Sequence, residues 1–185
     1  MVRVKQVAGG AAAGGGKATR CWKAKGARII MMPASMEVGP ERARLSREID
    51  RIIGHARERG EVDTGLVRAR EAIDDEKNHL LVARSRWGDL LGSLSYTHPD
   101  PSTLRVDYIG MTVRRCGVGT RLMAAVAELA LGGGMKIALT AEKAAKGFFE
   151  RLGMDLLEEF PDGNCTFEFR ADGMKRLVAA SRRNP

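Results

Sequence analysis

At 185 residues with 44% hydrophobic side chains, the chain is long enough for one domain with a substantial core, and no apolar run approaches the ~20 residues needed to span a bilayer. The formal charge of +8 is unevenly placed: the seven cations Arg3, Lys5, Lys17, Arg20, Lys23, Lys25 and Arg28 fall in residues 1–30 with no acid, leaving 24 Lys/Arg against 23 Asp/Glu beyond them. The basic character therefore belongs to an N-terminal extension and not to the body. Cys21, Cys116 and Cys165 are odd in number and widely spaced, which suits reduced thiols in a cytoplasm better than a disulfide framework. They offer no zinc-ligand pair, and His55, His79 and His98 are scattered, so no metal is expected.

Residues 1–30 include GGAAAGGG at 9–16 and read as a disordered, solvated extension. As a second reading, its cations form a loose, salt-sensitive tether for nucleic acid, which gives nucleic-acid contact only through this segment. It has no apolar core of the kind a secretory signal needs, so the expected compartment is the cytoplasm, with no membrane partner. Translation from Met31, Met32 or Met36 is a further hypothesis. Ala27–Met32 is a candidate first strand. From Glu41 to about Arg59, Leu45, Ile49, Ile52, Ile53 and Ala56 recur at helical spacing, and Gly60 ends the run. A second helix starts at Thr64, with Leu66, Ala69 and Ile73 as its apolar face. His79–Arg84 and Asp89–Tyr96 read as antiparallel strands joined near Trp87-Gly88-Asp89, with Leu90, Leu94 and Tyr96 on one face. His98-Pro-Asp-Pro-Ser marks a loop.

The run from Ile109 to Met123, IGMTVRRCGVGTRLM, carries the most information. A strand-like segment (104–109) leads through Arg114-x-x-Gly117-x-Gly119-Thr120 into an amphipathic helix whose stripe is Val118, Leu122, Val126 and Leu129, stopped by Gly132–Gly134. The first N–H groups of a helix have no internal partner, and the helix dipole favours negative charge there. Gly117 and Gly119 lack a Cβ and would let a pyrophosphate approach closely, with Arg114 and Arg115 adding forked donors. This is no Walker loop, since no Gly-Lys-Ser/Thr follows. Nor does the spacing of Gly110, Gly117 and Gly119 fit a dinucleotide fingerprint. Downstream come a strand at Lys136–Ala141, a helix at 143–152, closing strands at Leu156–Phe160 and Thr166–Phe169, and a short basic helix or tail over Gly173–Arg183.

Arg114-x-x-Gly117-x-Gly119-Thr120 after a strand resembles the acyl-CoA-binding motif of the GCN5-related N-acetyltransferase (GNAT) superfamily. Ala145-Lys-Gly-Phe148-Phe149-Glu150-Arg151-Leu152-Gly153-Met154 resembles that family's A-x-x-F-Y-E-K-L-G-F helix, in the right order and at the right separation. The resemblance covers roughly residues 78 to 169. It implies an α/β fold with a GNAT-like mixed, mostly antiparallel sheet of roughly six to seven strands, flanked by helices and with a splayed central strand. The domain division expected is 1–30 extension, 31–171 acyltransferase domain, and 172–185 basic C-terminal helix or tail.

The resemblance further implies direct transfer of an acetyl group from acetyl-CoA, as co-substrate, to the amine of a small molecule or peptide, without a covalent enzyme intermediate. Main-chain groups of Ile109, Gly110 and Met111 would hold the pantetheine arm. The N–H groups of Arg115, Cys116, Gly117, Val118, Gly119 and Thr120, beside Arg114, would take the pyrophosphate. The family tyrosine that protonates the leaving thiolate aligns with Phe149, which cannot donate a proton. Lys143 stands where many members carry asparagine, and Met111 replaces a frequent proline. Asp107 is the first choice as base, because an acid on an apolar strand needs a reason; a salt-bridged aspartate is the other reading. Alternation places Asp107 and Tyr108 on opposite faces, Tyr108 being either core or a substitute acid. Cys116, at the helix start, reads as a chance oxidation-sensitive thiol of lowered pKa. Glu61, Asp63, Asp74, Asp75 and Glu76 could rim the acceptor site. Homodimers are common in the family. The alternative function is a catalytically weak acyl-CoA-binding module.

Overall fold

The computed structural model describes residues 27–32, 40–58, 64–75, 77–112 and 116–183. Most of the basic extension, Arg114, Arg115, Glu61, Asp63 and Glu76 therefore lie outside the described residues, as does the side chain of Asp74. In chain order the elements are β1 (Arg28–Met32), α1 (Pro40–Glu58), α2 (Thr64–Asp74), β2 (His79–Arg84), β3 (Leu90–Asp100), β4 (Thr103–Met111), α3 (Val118–Gly132) and β5 (Lys136–Ala141). A 3₁₀ turn (Lys143–Ala145), α4 (Lys146–Arg151), β6 (Asp155–Glu159), β7 (Cys165–Phe169) and α5 (Ala171–Arg183) complete it.

The strands form one seven-stranded sheet in the order β1-β2-β3-β4-β5-β7-β6. Only the β4–β5 pair is parallel, because α3 crosses between them; every other pair is antiparallel. Both faces are covered. Leu45 and Ile49 of α1 and Ile73 of α2 bury against Leu80, Val82, Leu90 and Tyr108. Val118, Leu122 and Val126 of α3, with Met174 and Leu177 of α5, close the larger core on the opposite face over Leu94, Leu104, Ile109, Leu139 and Phe167. A strand buried on both sides carries apolar residues at successive positions, which is why alternation along β3 and β4 is a poor guide to facing.

Two register shifts alter what alternation predicts. Ala83 pairs with Gly92 but Arg84 with Leu90, so Leu91 is an extra residue and the alternation inverts across it. Leu90 therefore joins the α1/α2 core while Leu94 and Tyr96 join the other, correcting the reading that placed all three on one face. Ser95 pairs with Tyr108 and Tyr96 with Val106, which makes Asp107 the extra residue of a bulge. The expected loop at His98–Ser102 is also shorter than the sequence suggests. β3 continues through Pro99, and Asp100 pairs with Thr103 across a Pro101-Ser102 turn in which Asp100 Oδ1 accepts from the N–H (2.8 Å) and hydroxyl (2.7 Å) of Ser102. The 143–152 helix divides into the 3₁₀ turn and α4. The C-terminal segment is helical and buries Met174, Leu177 and Val178.

Candidate active site

β4 and β5 run together only from Thr103 opposite Lys136 to Val106 opposite Leu139. Beyond that point β5 keeps its pairing with β7 and β4 its pairing with β3, so Asp107–Met111 has no partner in β5. This is the splay expected of the central strand. Backbone groups here that face away from β3 are left for a ligand or for water. Of the residues expected along it, Ile109 is fully buried in the α3/α5 core, Gly110 is buried and Met111 is half-buried.

The N-terminus of α3 stands beside that opening. Its N-cap is Gly117, with φ 74° and ψ 0° and no side-chain capping hydrogen bond, so the first N–H groups of the helix, at Val118, Gly119 and Thr120, are not taken by a cap. A positive φ favours glycine, and nothing lies within 4 Å of where a Gly117 Cβ would stand. Gly119 is different. A Cβ there would meet Met111 Sδ at 2.8 Å and Phe148 Cζ at 3.2 Å. Its missing side chain thus lets α3 pack closely on β4 and α4, whereas the sequence assigned both glycines to close approach of an anion. Cys116 is half-buried against the core.

On the α1/α2 face, a cleft of about 290 Å³ opens between α2, the loop that follows it, and strands β3 and β4. Asp107 and Tyr108 both line it. The bulge at Asp107 is the physical reason: an extra residue resets the alternation, so these neighbours share a face instead of occupying opposite ones. Asp107 is buried, and each carboxylate oxygen accepts one hydrogen bond, Oδ1 from Arg105 Nε at 2.7 Å and Oδ2 from Thr97 Oγ1 at 2.8 Å. The salt-bridged reading of Asp107 is thus part of the structure, while each oxygen retains a second acceptor site. Tyr108 is buried with its ring lying along β4: a Cβ on Gly110 would fall 1.3 Å from the Tyr108 hydroxyl. That hydroxyl therefore sits over the splayed segment. Gly110 is glycine because Tyr108 occupies the space.

Of the cleft's remaining polar groups, only Asp75 was singled out in the sequence, as part of an acidic rim. Ser95, opposite Tyr108 in register, is fully buried and its Oγ has no hydrogen-bond partner among the described residues. Buried Arg42 of α1 donates to the carbonyls of Ile73 (3.2 Å), Asp75 (3.4 Å) and Asn78 (2.6 Å), fixing the end of α2 and the loop that forms one wall. The alternation Ser93, Ser95, Thr97 along β3 was the available signal for a polar lining; for Arg42 it was helical spacing, in line with Leu45 and Ile49. Phe149 is fully buried, with ring centroids 5.0 Å from Phe148 and 5.6 Å from Phe167, so this position is core. Lys143 is exposed. Burial raises the pKa of the Cys165 thiol, which suits packing. Among the described residues no group of three or more His, Cys, Asp or Glu is placed to hold a metal ion, and no helix is long and apolar enough to cross a membrane.

Comparison with known proteins adds an independent line. The sequence profile described as "Acetyltransferase (GNAT) family" matches residues 44–154. No curated protein matches the chain in sequence. Among solved structures, the fold is similar to that of BjaI, a CoA-dependent acyl-homoserine lactone synthase solved with SAM and isopentyl-CoA (TM-score 0.57, 17% identity, covering 84% of this chain and 89% of BjaI). It is likewise similar to Tetrahymena GCN5 (TM-score 0.57, 12% identity, 78% and 97% covered). Ard1 from Thermoplasma volcanium is a third (TM-score 0.52, 17% identity, 78% and 96% covered). At these identities the likeness is one of fold.

Proposed function

Because the chain belongs to the GNAT acetyltransferase family, whose members use acyl-CoA, we propose that it transfers an acetyl group from acetyl-CoA directly to an amine bound in the α1/α2-face cleft. The observation that carries this is the junction of three features: the parting of β4 from β5, the uncapped start of α3 at Gly117, and the Tyr108 hydroxyl over Gly110. The pyrophosphate is held by the N–H groups of Val118 to Thr120, aided by Arg114 and Arg115, and the pantetheine arm by main-chain groups of Ile109 to Met111.

In this reading Asp107 takes a proton from the ammonium at one of its remaining acceptor sites, with Arg105 and Thr97 holding the carboxylate still. The neutral amine attacks the thioester carbonyl, the N–C bond forms and the C–S bond breaks. The thiolate takes its proton from Tyr108, which replaces the tyrosine missing at position 149; the acylated nitrogen gives its second proton to the tyrosinate, and Asp107 releases the first to solvent. Fixing amine and thioester in one geometry contributes up to about 7–11 kcal/mol of barrier lowering. The buried Phe149 favours a second reading, an acyl-CoA-binding module with weak turnover, if Tyr108 does not serve as acid.

Calorimetric titration with acetyl-CoA, beside a Gly117→Glu variant, tests the cradle; amine-dependent release of CoA tests the chemistry. Binding that Gly117→Glu abolishes, with CoA released when an amine is added, is the expected result. Binding without release leaves the binding module, and absence of binding by folded protein removes both readings.

A further inference from the structure

Among the described residues, the lining of this cleft of about 290 Å³ carries Arg68, Lys77 and Arg105 beside Glu71, Asp75 and Asp107, with Arg105 already paired to Asp107. These charges are ordered by depth. Asp107 is buried at the inner end, beside Tyr108, whereas Glu71, Asp75 and Lys77 are exposed at the mouth. Asp75 uses Oδ1 to accept the N–H of Lys77 at 3.0 Å, and among the described residues the exposed Lys77 ammonium has no ion-pair partner. Among these described groups a polycation meets as many cations as carboxylates and gains no net attraction from them. A plain hydrophobic amine would strip water from charged groups and return nothing to them. An acceptor that carries a carboxylate close to its amine answers both ends.

A second feature points to a ligand independently of charge. Ser95 is among the residues lining this cleft, next to Asp107 and Tyr108, and its Oγ lies just beneath the cleft wall, buried and without a hydrogen-bond partner among the described residues. Buried hydroxyls are normally partnered, and an orphan in a cleft marks a bond completed by something that binds there. An amine N–H directed at Asp107 can share its other hydrogens with Ser95.

Resting on the acyltransferase reading above, we infer that the acceptor is a zwitterion, a free α-amino acid or a close analogue. Its carboxylate is held at the mouth by Lys77, and its amine points inward to Asp107 and Ser95. Acetylation follows the same balance as before: the ammonium loses a proton to Asp107, the N–C bond forms, the thioester C–S bond breaks, the thiolate takes the Tyr108 proton, and the acylated nitrogen returns its second proton to Tyr108.

Binding is measured apart from turnover. The protein saturated with CoA, which has no acyl group to transfer, is titrated by calorimetry with each of the common L-amino acids, with the carboxamide of the tightest binder, and with spermidine. At least one amino acid is expected to bind, with its carboxamide at least tenfold weaker and spermidine weaker still. Lys77→Met should close the gap between acid and carboxamide, and Ser95→Ala should weaken both. Equal affinity for acid and carboxamide, tighter binding of spermidine, or no binding of any amino acid overturns the inference. Acetyl transfer to spermidine alone would overturn it and leave the acyltransferase reading standing. Zwitterion binding without CoA release from acetyl-CoA would do the reverse.

Discussion

Tyr108 and Gly110 are coupled by space. The ring of one lies where a side chain on the other would be, so Gly110→Ala must drive the hydroxyl away from the splayed strand. Tyr108→Phe removes the proton donor and leaves the ring in place. If Tyr108 protonates the thiolate, kcat in the phenylalanine variant falls by roughly 100-fold with binding of acetyl-CoA intact, since general acids contribute about 10²–10⁴. Gly110→Ala should match it in kcat and also lose stability. A Tyr108→Phe enzyme as fast as the parent would remove that role. A second cluster, at the outer end of β2 and β3, sets a pH dependence. His79 stacks on Tyr96 at 4.9 Å and meets His98 edge-on at 5.2 Å. Burial, then the charges of His98 and Arg42, push the His79 pKa below the ordinary imidazole value of about 6.5. The unfolded chain therefore takes up this proton before the folded one does. Stability from this group is complete above about pH 6.5 and is lost as pH falls from there through the lower folded-state value. Thermal unfolding followed from pH 7.5 to 5 should show a decline that is shallower in His79→Phe; an unchanged slope would assign the decline to other groups.

Between elements, one side chain joins three. Arg42 near the start of α1 donates to carbonyls at the end of α2 and in the loop to β2, supplying cationic donors where a helix C-terminus leaves acceptors unpaired. Arg42→Met leaves those buried carbonyls without this donor and should cost roughly 3 kcal/mol in urea unfolding. Because that loop walls the cleft, KM for the acceptor should rise while affinity for acetyl-CoA holds. Loss of both would mean general unfolding. This residue also shows what sequence reading reaches. The order of strands and helices followed from local periodicity and from glycine stops, and the family motifs around Gly117 and Phe148 were contiguous enough to be read directly. Helical spacing sets Arg42 in line with Leu45 and Ile49, unlike the exposed Arg44, Arg47 and Arg51, but its partners lie more than 30 residues away and nothing local names them. The bulges at Leu91 and Asp107 were hidden for a related reason. In a strand covered on both faces, apolar residues fall on either side, so a one-residue slip leaves no mark in the pattern. The sequence thus named Asp107 and Tyr108 as candidates but placed them on opposite faces, whereas both line one cleft.

At the scale of the molecule, the C-terminal helix is part of the core. Met174, Leu177 and Val178 bury against α3, and Gly173 lies so close to Phe169 that a Cβ would meet its ring at 2.6 Å. Three such side chains are worth roughly 6 kcal/mol by area, comparable with the ~5–15 kcal/mol that holds a typical domain together. A chain stopped after Arg170 should therefore lose cooperative unfolding by circular dichroism; a truncated chain that melts like the full one would make α5 an appendage. The same stability reports on the site. α3 is packed by α5 on one side and presents the start at Gly117 near the splayed end of β4, so a ligand spanning that start and β4 binds only the folded sheet. Acetyl-CoA at about 100 times its Kd would then add roughly 2.7 kcal/mol, which for a chain of this size raises Tm by about 5–10 °C. Gly117→Glu places a side chain and a negative charge at a backbone position of positive φ, so its own Tm drops and its response to acetyl-CoA disappears. Gly117→Ala separates the two effects. It carries the backbone strain without the charge, so it should lower Tm and keep most of the ligand-induced rise. A rise lost equally in both variants would mean that the shape of the turn, rather than charge and access, governs binding.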